Sequence, residues 1–443
     1  MSSKPDIGFI GLGAMGFGMA TNLVHQGYSV TGFDVWGPTL DKFKDAGGIT
    51  ATTPADTVKG KDYVICMVAT AAQAQAVLID DANNALSTLS KGAAVLLCST
   101  VPSSYVQGLE KQLRDLGRDD IFLVDAPVSG GTYRAADGTL SIMAGGSDAA
   151  IEKTKFLLHE MSDQNKLYIV KGGVGAGSNL KMVHQVLAAV QILSGSEAMG
   201  FASHLGLDLA ETREAIVKSP GWSWMFENRS PRMLHPEFQP VASALTIILK
   251  DTSIITSEAR HLDFPTPMTS TAEQVYFSGL GKGYGPDDDS SLIRVYAEGK
   301  GKVGPVVGTA QTIEDKLALV VTLLRGVHLC AAAETIAFAV RLGLDLDQVL
   351  DLCVNAAGGS HMLETVGPEI MRLYGAQTPS KAKAESLPKL AQQLQEAVDE
   401  AQRLKMPLFL GSQALNIARL ALAHSPTTAP EATLDQIVRV WGS

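Results

Sequence analysis

The sequence predicts an α/β domain built on a doubly wound parallel sheet, followed by two tandem all-α domains that are homologous to each other. Three observations predict this. Residues 1–172 alternate short apolar runs with helical patterns, as strand–helix–strand units do. From Gly173 onward the character changes, and apolar residues recur at three- and four-residue spacing. The helical part then repeats itself at a fixed offset.

Taken in order, the apolar runs are Ile7–Ile10, Ser29–Phe33, Tyr63–Val68, Ala94–Leu97 and Ile121–Val124, each short enough for a buried strand. Between them, Ala14–His25, Ala71–Leu86 and Val106–Leu116 carry helical periodicity. The first helical domain is expected over 173–300. The stretch 299–312, rich in Gly and Val, reads as a linker. The second helical domain is expected over 301–443, with a polar interruption near 374–386.

The repeat is carried by Glu197–Leu209 and Glu334–Leu346, offset by 137 residues; 8 of the 14 positions from 196 to 209 match. It continues without a gap through Gly221/Gly358, Ser223/Ser360, Met225/Met362 and Pro231/Pro368. Further on, Glu258–Leu262 and Pro265 align with Glu400–Leu404 and Pro407 at a slightly larger offset. This pattern reads as an internal duplication.

Composition bounds the function. With 46% hydrophobic and 19% charged residues over 443 positions, the chain is rich enough in apolar residues for large cores. A net charge of −10 presents no basic field, so neither nucleic acid nor a membrane surface is an expected partner. The four cysteines, Cys66, Cys98, Cys330 and Cys353, are far apart with no His cluster, so no metal site or disulfide framework is expected. The first residues lead straight into a strand-like run without a signal-peptide pattern, and no uncharged apolar stretch is long enough to span a bilayer. The expectation is a soluble, cytoplasmic protein.

The first strand runs into Gly11-Leu12-Gly13-Ala14-Met15-Gly16 and then a helix. Gly11 permits the tight turn, Gly13 lets the backbone approach a pyrophosphate, and Gly16 allows the helix to pack closely. This is the dinucleotide fingerprint of a Rossmann-type domain, with Leu12, Ala14 and Met15 in the same loop. The second strand ends at Asp34, where a carboxylate can accept the ribose hydroxyls and repel a 2′-phosphate; NAD is therefore expected, NADP less so. Val68, which closes the third apolar run, is also expected to line the cofactor.

Two further segments carry chemistry. In Asp125-Ala-Pro-Val-Ser129-Gly130-Gly131, consecutive glycines after a strand expose backbone N–H groups, and Ser129 adds a hydroxyl; such a turn can cradle a carboxylate. In Gly175-Ala-Gly-Ser178-Asn-Leu-Lys181-Met-Val-His184-Gln185, the residues Lys181, His184 and Gln185 share one face of a helix that is otherwise apolar. Oxidising an alcohol needs a base for the hydroxyl proton, and a lysine in a partly dry site can serve.

The segments GFIGLGAMG, DAPVSGG, GAGSNLKMVHQ and Leu249-Lys250-Asp251, in this order, resemble the β-hydroxyacid dehydrogenases, the family of 3-hydroxyisobutyrate dehydrogenase, over residues 5–298. The resemblance implies a small hydroxy acid as substrate, bound at Ser129, Gly130 and Gly131, with Lys181 as acid/base and Lys250 on the nicotinamide side. Ser99 and Thr100, in Cys98-Ser99-Thr100, match the family's strand-end element near the nicotinamide, with Thr100 on the cofactor, and Gly283–Ser290 matches its Asp-rich tail. Most members have Asn where this chain has Gln185. The His184-Gln185 pair and Ser223-Trp224-Met225-Phe226-Glu227-Asn228-Arg229 look most like the L-threonate dehydrogenase branch, which implies a polyhydroxylated acid and adds His184, Gln185 and Trp224 to the substrate side. Trp222, Trp224 and Phe226 also fit ordinary core positions.

Three alternatives are discriminated by residues. 6-Phosphogluconate dehydrogenase shares the Lys-x-x-His pattern and a duplicated helical domain, but has a glutamate seven residues after the lysine; here Ala188 stands there. Imine reductases of the superfamily usually replace the lysine that is present here. A dehydrogenase-like scaffold without catalysis would predict loss of Lys181 or a basic tail. In the second helical repeat, Ala318, Val321 and Thr322 stand at the positions of Lys181, His184 and Gln185, and Gln392-Gln393 at Lys250-Asp251. That copy keeps its packing residues and lacks the chemical groups. In the family, helical domains of two subunits pack together, so the resemblance implies that residues 313–443 replace a second subunit. The result would be a monomer with an internal pseudo-dimer, or a homodimer of such chains.

Overall fold

The computed structural model describes residues 4–297, 312–377, 385–424 and 431–442. The expected linker up to residue 311 and the centre of the polar interruption, residues 378–384, lie outside them. The chain forms two compact units that divide between Lys181 and Met182.

The first unit is a nine-stranded sheet with its helices. In chain order the strands are β1 (Ile7–Ile10), β2 (Val30–Phe33), β3 (Ile49–Thr50), β4 (Tyr63–Cys66), β5 (Ala94–Leu97), β6 (Phe122–Asp125), β7 (Val128–Ser129), β8 (Leu140–Gly146) and β9 (Ser162–Ile169). Their spatial order is β3-β2-β1-β4-β5-β6-β8-β7, with β9 also paired to β8. β1 to β6 are parallel, in the doubly wound order whose switch point lies between β1 and β4. β8 runs antiparallel to β6. Side chains alternate across the sheet: Ile7 and Phe9 enter one core, Ile10 the other, where it joins Val64, Cys66 and Val95.

The helices of this unit are α1 (Ala14–His25), α2 (Gly37–Asp45), α3 (Pro54–Val58), α4 (Ala71–Gln75), α5 (Ser103–Asp115), α6 (Gly131–Asp137) and α7 (Asp148–Met161). The helix expected over Ala71–Leu86 is not continuous. α4 passes into a wide turn at Ala76–Asp80, and a short 3₁₀ turn follows at Ala85–Ser87. The interruption falls at Asp80-Asp81-Ala-Asn83-Asn84. There the Asn84 side chain donates to the Asp81 carbonyl at 2.7 Å and accepts from Ser87 N–H, so local side-chain bonds compete with the helix.

α8 (Ala176–His204) starts in the first unit and continues into the second. It is followed by α9 (Leu209–Val217), α10 (Trp224–Met233), α11 (Leu245–His261), α12 (Pro267–Gly281) and the short α13 (Arg294–Ala297). Then come α14 (Ile313–Arg341), α15 (Leu346–Asn355), α16 (His361–Leu373), α17 (Leu387–Arg403) and α18 (Phe409–His424). α8 and α14 are both 29 residues long and start 137 positions apart, as do α9 and α15, and α10 and α16. α8 and α14 also reach the length and mean hydropathy of a bilayer span when up to two charges are tolerated. Most of each apolar window is buried inside the protein, as in the central helix of a bundle.

The helices of the second unit exchange hydrogen bonds reciprocally. Trp224 N–H donates to Gly359 C=O at 2.8 Å, and His361 N–H donates to Trp222 C=O at 3.2 Å, around an antiparallel bridge between Ser223 and Ser360. Buried Glu197 of α8 accepts the N–H groups of Leu410 and Gly411 at the start of α18. Buried Glu334 of α14 accepts those of Met268 and Thr269 at the start of α12. Burial pushes both carboxyls up to about 7, against the hydrogen bonds that favour their ionised forms.

Candidate active site

The turn after β1 carries the glycine fingerprint. Gly11 has φ +95°, and a Cβ there would run into the Met67 carbonyl oxygen at the end of β4. At Gly16 a Cβ would meet the Gly11 carbonyl oxygen. At Gly13 it would meet nothing within 4 Å. Two of the glycines are therefore needed for packing, and the third opens space in front of α1. No side-chain hydrogen bond caps α1 at Gly13, so its first N–H groups face that space, as a pyrophosphate requires. The residues fit a dinucleotide. Half-buried Asp34 accepts Leu12 N–H at 2.7 Å on one oxygen and Trp36 N–H at 2.9 Å on the other. These two bonds fix the carboxylate beside the fingerprint turn. Val68, just past β4, donates its N–H to the buried Ser99 hydroxyl at 2.9 Å, and Thr100 follows Ser99 at the end of β5.

β6 leads into the turn of Ser129, Gly130 and Gly131. Gly130 and Gly131 have φ of +140° and +74°, conformations that side-chain-bearing residues rarely adopt. Both are exposed, and Ser129 is half-buried, so the turn is open to solvent. At the end of β6, fully buried Asp125 accepts Ser178 N–H at 2.6 Å and the Ser178 hydroxyl at 2.7 Å. Burial raises this carboxyl to about 6, against the Ser178 bonds that lower it. A Cβ at Gly177 would clash with the carbonyl oxygens of Met143 and Asp125, so the start of α8 lies directly on the sheet. Asp125 thus ties β6, and through it the Ser129–Gly131 turn, to the helical turn that carries Lys181 three residues later. Lys181 is 6% exposed, which gives it the partly dry setting expected of it.

Further along α8, His184 and Gln185 are also buried. Gln185 donates to Asp251 at 2.5 Å, its amide oxygen lies 3.1 Å from His184 Nδ1, and Lys250 pairs with Asp251 at 3.0 Å. Gln185 and Lys250 are therefore joined through Asp251, and His184 joins them through the Gln185 amide oxygen. Trp224 is half-buried at the start of α10, and the neighbouring Trp222 donates its indole N–H to Glu227 at 2.7 Å. The Asp-rich segment braces α10, since buried Asp288 and Asp289 pair with its Arg232 and Arg229 at 2.9 and 3.1 Å. Asp125, Ser178 and Asp251 were given no role in the sequence although each lies inside one of its motifs. Their signal was only adjacency to the named residues, because their partners are 53 to 66 positions away.

Comparison with known proteins gives two family matches. The NAD-binding domain of 6-phosphogluconate dehydrogenase matches residues 6–172. The family described as NAD-binding of NADP-dependent 3-hydroxyisobutyrate dehydrogenase matches residues 175–296 and 315–440. L-threonate dehydrogenase of Cupriavidus necator is 37% identical over 291 residues, which span 66% of this chain and 96% of that protein. The crystal structure of 3-hydroxyisobutyrate dehydrogenase from Salmonella typhimurium is 33% identical with a TM-score of 0.60, covering 66% of this chain and all of that one. 6-Phosphogluconate dehydrogenase of Plasmodium falciparum has the same fold, with a TM-score of 0.71 over 95% of this chain and 93% of that one, at 17% identity.

Proposed function

This chain belongs to the 3-hydroxyisobutyrate dehydrogenase-like family of β-hydroxyacid dehydrogenases, and on that premise we propose that it oxidises a small polyhydroxy acid of the threonate class with NAD, using Lys181 as the general acid/base. The observation that carries this reading is the Asp125–Ser178 clamp. It brings the carboxylate-binding turn and the helical turn of Lys181 onto the end of one strand.

The chemistry follows from these residues. The α1 N-terminus and the open face of Gly13 hold the pyrophosphate, Asp34 holds the ribose hydroxyls, and Val68, Thr100 and Lys250 line the nicotinamide side. The nicotinamide, when bound, supplies the hydride acceptor. Ser129, Gly130 and Gly131 bind the substrate carboxylate and fix the hydroxyl-bearing carbon. Neutral Lys181 Nζ takes the hydroxyl proton as the carbonyl forms, and returns it in the reverse direction. Gln185, held by Asp251, together with His184 and Trp224, orients the remaining hydroxyls. NAD is preferred because the Asp34 carboxylate repels a 2′-phosphate.

The second helical region is read as a copy of the first, kept for packing. The equal helix lengths, the fixed offset and the reciprocal bonds at Ser223/Ser360 and Glu197/Glu334 support a pseudo-dimer within one chain.

The test is reduction of NAD, and separately NADP, with L-threonate, D-threonate, erythronate, glycerate, 3-hydroxyisobutyrate and 6-phosphogluconate, with Lys181→Met alongside. Lysine-dependent reduction of NAD by a four-carbon acid is expected. Equal turnover in Lys181→Met overturns the mechanism.

A further inference from the structure

Arg134 is the only lysine or arginine between Arg118 and Lys153, and it lies against the Ser129–Gly131 turn. A Cβ on Gly130 would meet Arg134 Cδ at 2.8 Å and Arg134 Cβ at 3.0 Å, so the aliphatic stem of Arg134 covers the face of Gly130 that a side chain would occupy. Gly130 is thus needed twice, for its φ of +140° and as the seat of this stem. The backbone of Arg134 is fixed relative to the turn from both sides. α6 starts at Gly131, within the turn, and the Arg134 carbonyl accepts Thr139 N–H at 2.9 Å where the chain enters β8. β8 in turn pairs with β7, with Ser141 opposite Ser129.

The guanidinium begins at the atom after Cδ, and Arg134 is half-buried. Among the described residues it has no ion pair and no side-chain hydrogen bond, whereas Arg118, Arg229 and Arg232 are each held by an aspartate. The chain carries a net charge of −10, so a cation without a carboxylate partner is not the ordinary state of its arginines. Placed beside a turn that is open to solvent, this one is left to receive an anion from outside.

We propose that Arg134 is a substrate-binding residue, whose guanidinium pairs with the carboxylate of the hydroxy acid at the Ser129–Gly131 turn and so sets the requirement for an anion at that end of the substrate. The proposal rests on the reading of that turn as the carboxylate site. The turn alone offers N–H and hydroxyl donors, which the carbonyl oxygen of a neutral amide also satisfies. A guanidinium adds a full charge and two parallel N–H donors, which match the two oxygens of a carboxylate and not the oxygen and NH2 of an amide. The carboxylate keeps its charge while the hydroxyl carbon is oxidised, so the pairing is equal in ground and transition states and acts on KM rather than kcat.

Steady-state kinetics of the full chain with NAD tests this, using L-threonate, glycerate and the neutral carboxamide of each. Arg134→Met keeps an aliphatic stem against Gly130 and removes the charge. In that variant the KM of the acids is expected to rise at least about tenfold with kcat nearly unchanged, while the carboxamides are unaffected. Arg134→Lys, which keeps the charge without the planar fork, is expected to recover part of the loss. Added salt should raise the KM of the acids more in the wild type than in Arg134→Met. An unchanged KM for the acids in Arg134→Met, with Lys181→Met inactive, overturns the pairing and leaves the dehydrogenase reading intact. A loss shared equally by acid and carboxamide also overturns it, since that marks a residue that only shapes the turn. Full turnover in Lys181→Met overturns the dehydrogenase mechanism instead, and a wild type that oxidises neither acid contradicts both.

Discussion

The two helical regions present helices that start at one fixed offset, and they differ in what they carry. α8 and α14 are matched in length, and each contributes a buried glutamate that receives the first N–H groups of a helix in the other region. Along α8, Lys181, His184 and Gln185 form a buried polar face. Along α14 the same positions are Ala318, Val321 and Thr322. Glu197 and Glu334, present in both, satisfy backbone N–H groups, whereas Lys181, His184 and Gln185, present only in the first, are the groups assigned to chemistry. Packing constrains both regions in the same way, whereas catalysis needs only one polar face.

The largest effect should come from the position where the regions differ most. Lys181→Met is expected to lower turnover on the order of 10²–10⁴-fold, while NAD binding persists. Adding Ala318→Lys to that variant should restore nothing, since residues 312–442 contain no glycine fingerprint beside it. Recovery of activity on that background would mean that the second region retains a site.

The next prediction concerns what the regions share. Glu197→Ala strands the N–H groups of Leu410 and Gly411 and the Tyr296 hydroxyl; Glu334→Ala strands those of Met268 and Thr269 and the Thr269 hydroxyl. Each should lose about 2–4 kcal/mol of unfolding free energy, and the two losses should be similar. Chemical denaturation reads them directly. A loss confined to one glutamate would break the equivalence.

The same pair sets a pH dependence. Both carboxyls titrate near 7 in the folded protein, above their ordinary value of 4.5, so the folded state binds protons more readily than the unfolded chain. Their contribution to stability therefore falls as pH rises from about 4.5 to about 7 and is level above that. The denaturation midpoint of the wild type should drop between pH 5 and pH 7.5, and Glu197→Gln and Glu334→Gln should each flatten the drop. The smallest effect is expected at the caps: Ser223→Ala and Ser360→Ala each remove a side-chain bond to a helix N-terminus, to Phe226 and Leu363, and each should cost about 1 kcal/mol.

How much of this was legible in the sequence depends on the range of the interactions. The five apolar runs of the parallel sheet and the roles of Gly11, Gly13 and Gly16 are local, and the strands fall where periodicity and turn chemistry put them. β3, β7, β8 and β9 carry no apolar run singled out in the sequence, and the clamp of Asp125 on Ser178 spans 53 positions, which no local pattern encodes. The broken helix over Ala71–Leu86 teaches the same lesson in reverse. Its periodicity was adequate, but a run of Asp and Asn offered the backbone other bonds. In the site, residue types and spacing pointed to Lys181, His184 and Gln185. The carboxylates that hold them, Asp125 and Asp251, became visible only in three dimensions.

One catalytic site per chain, built on the first helical region, is the central claim. The most direct measurement is the stoichiometry of substrate binding to the NADH-loaded wild-type chain by calorimetric titration, using the oxidised acid. One site per 443-residue chain, lost in Lys181→Met or its substrate-turn variants and retained in Ala318→Lys, is the predicted result. Two sites per chain, or one that survives replacement of Ser129–Gly131, would contradict it.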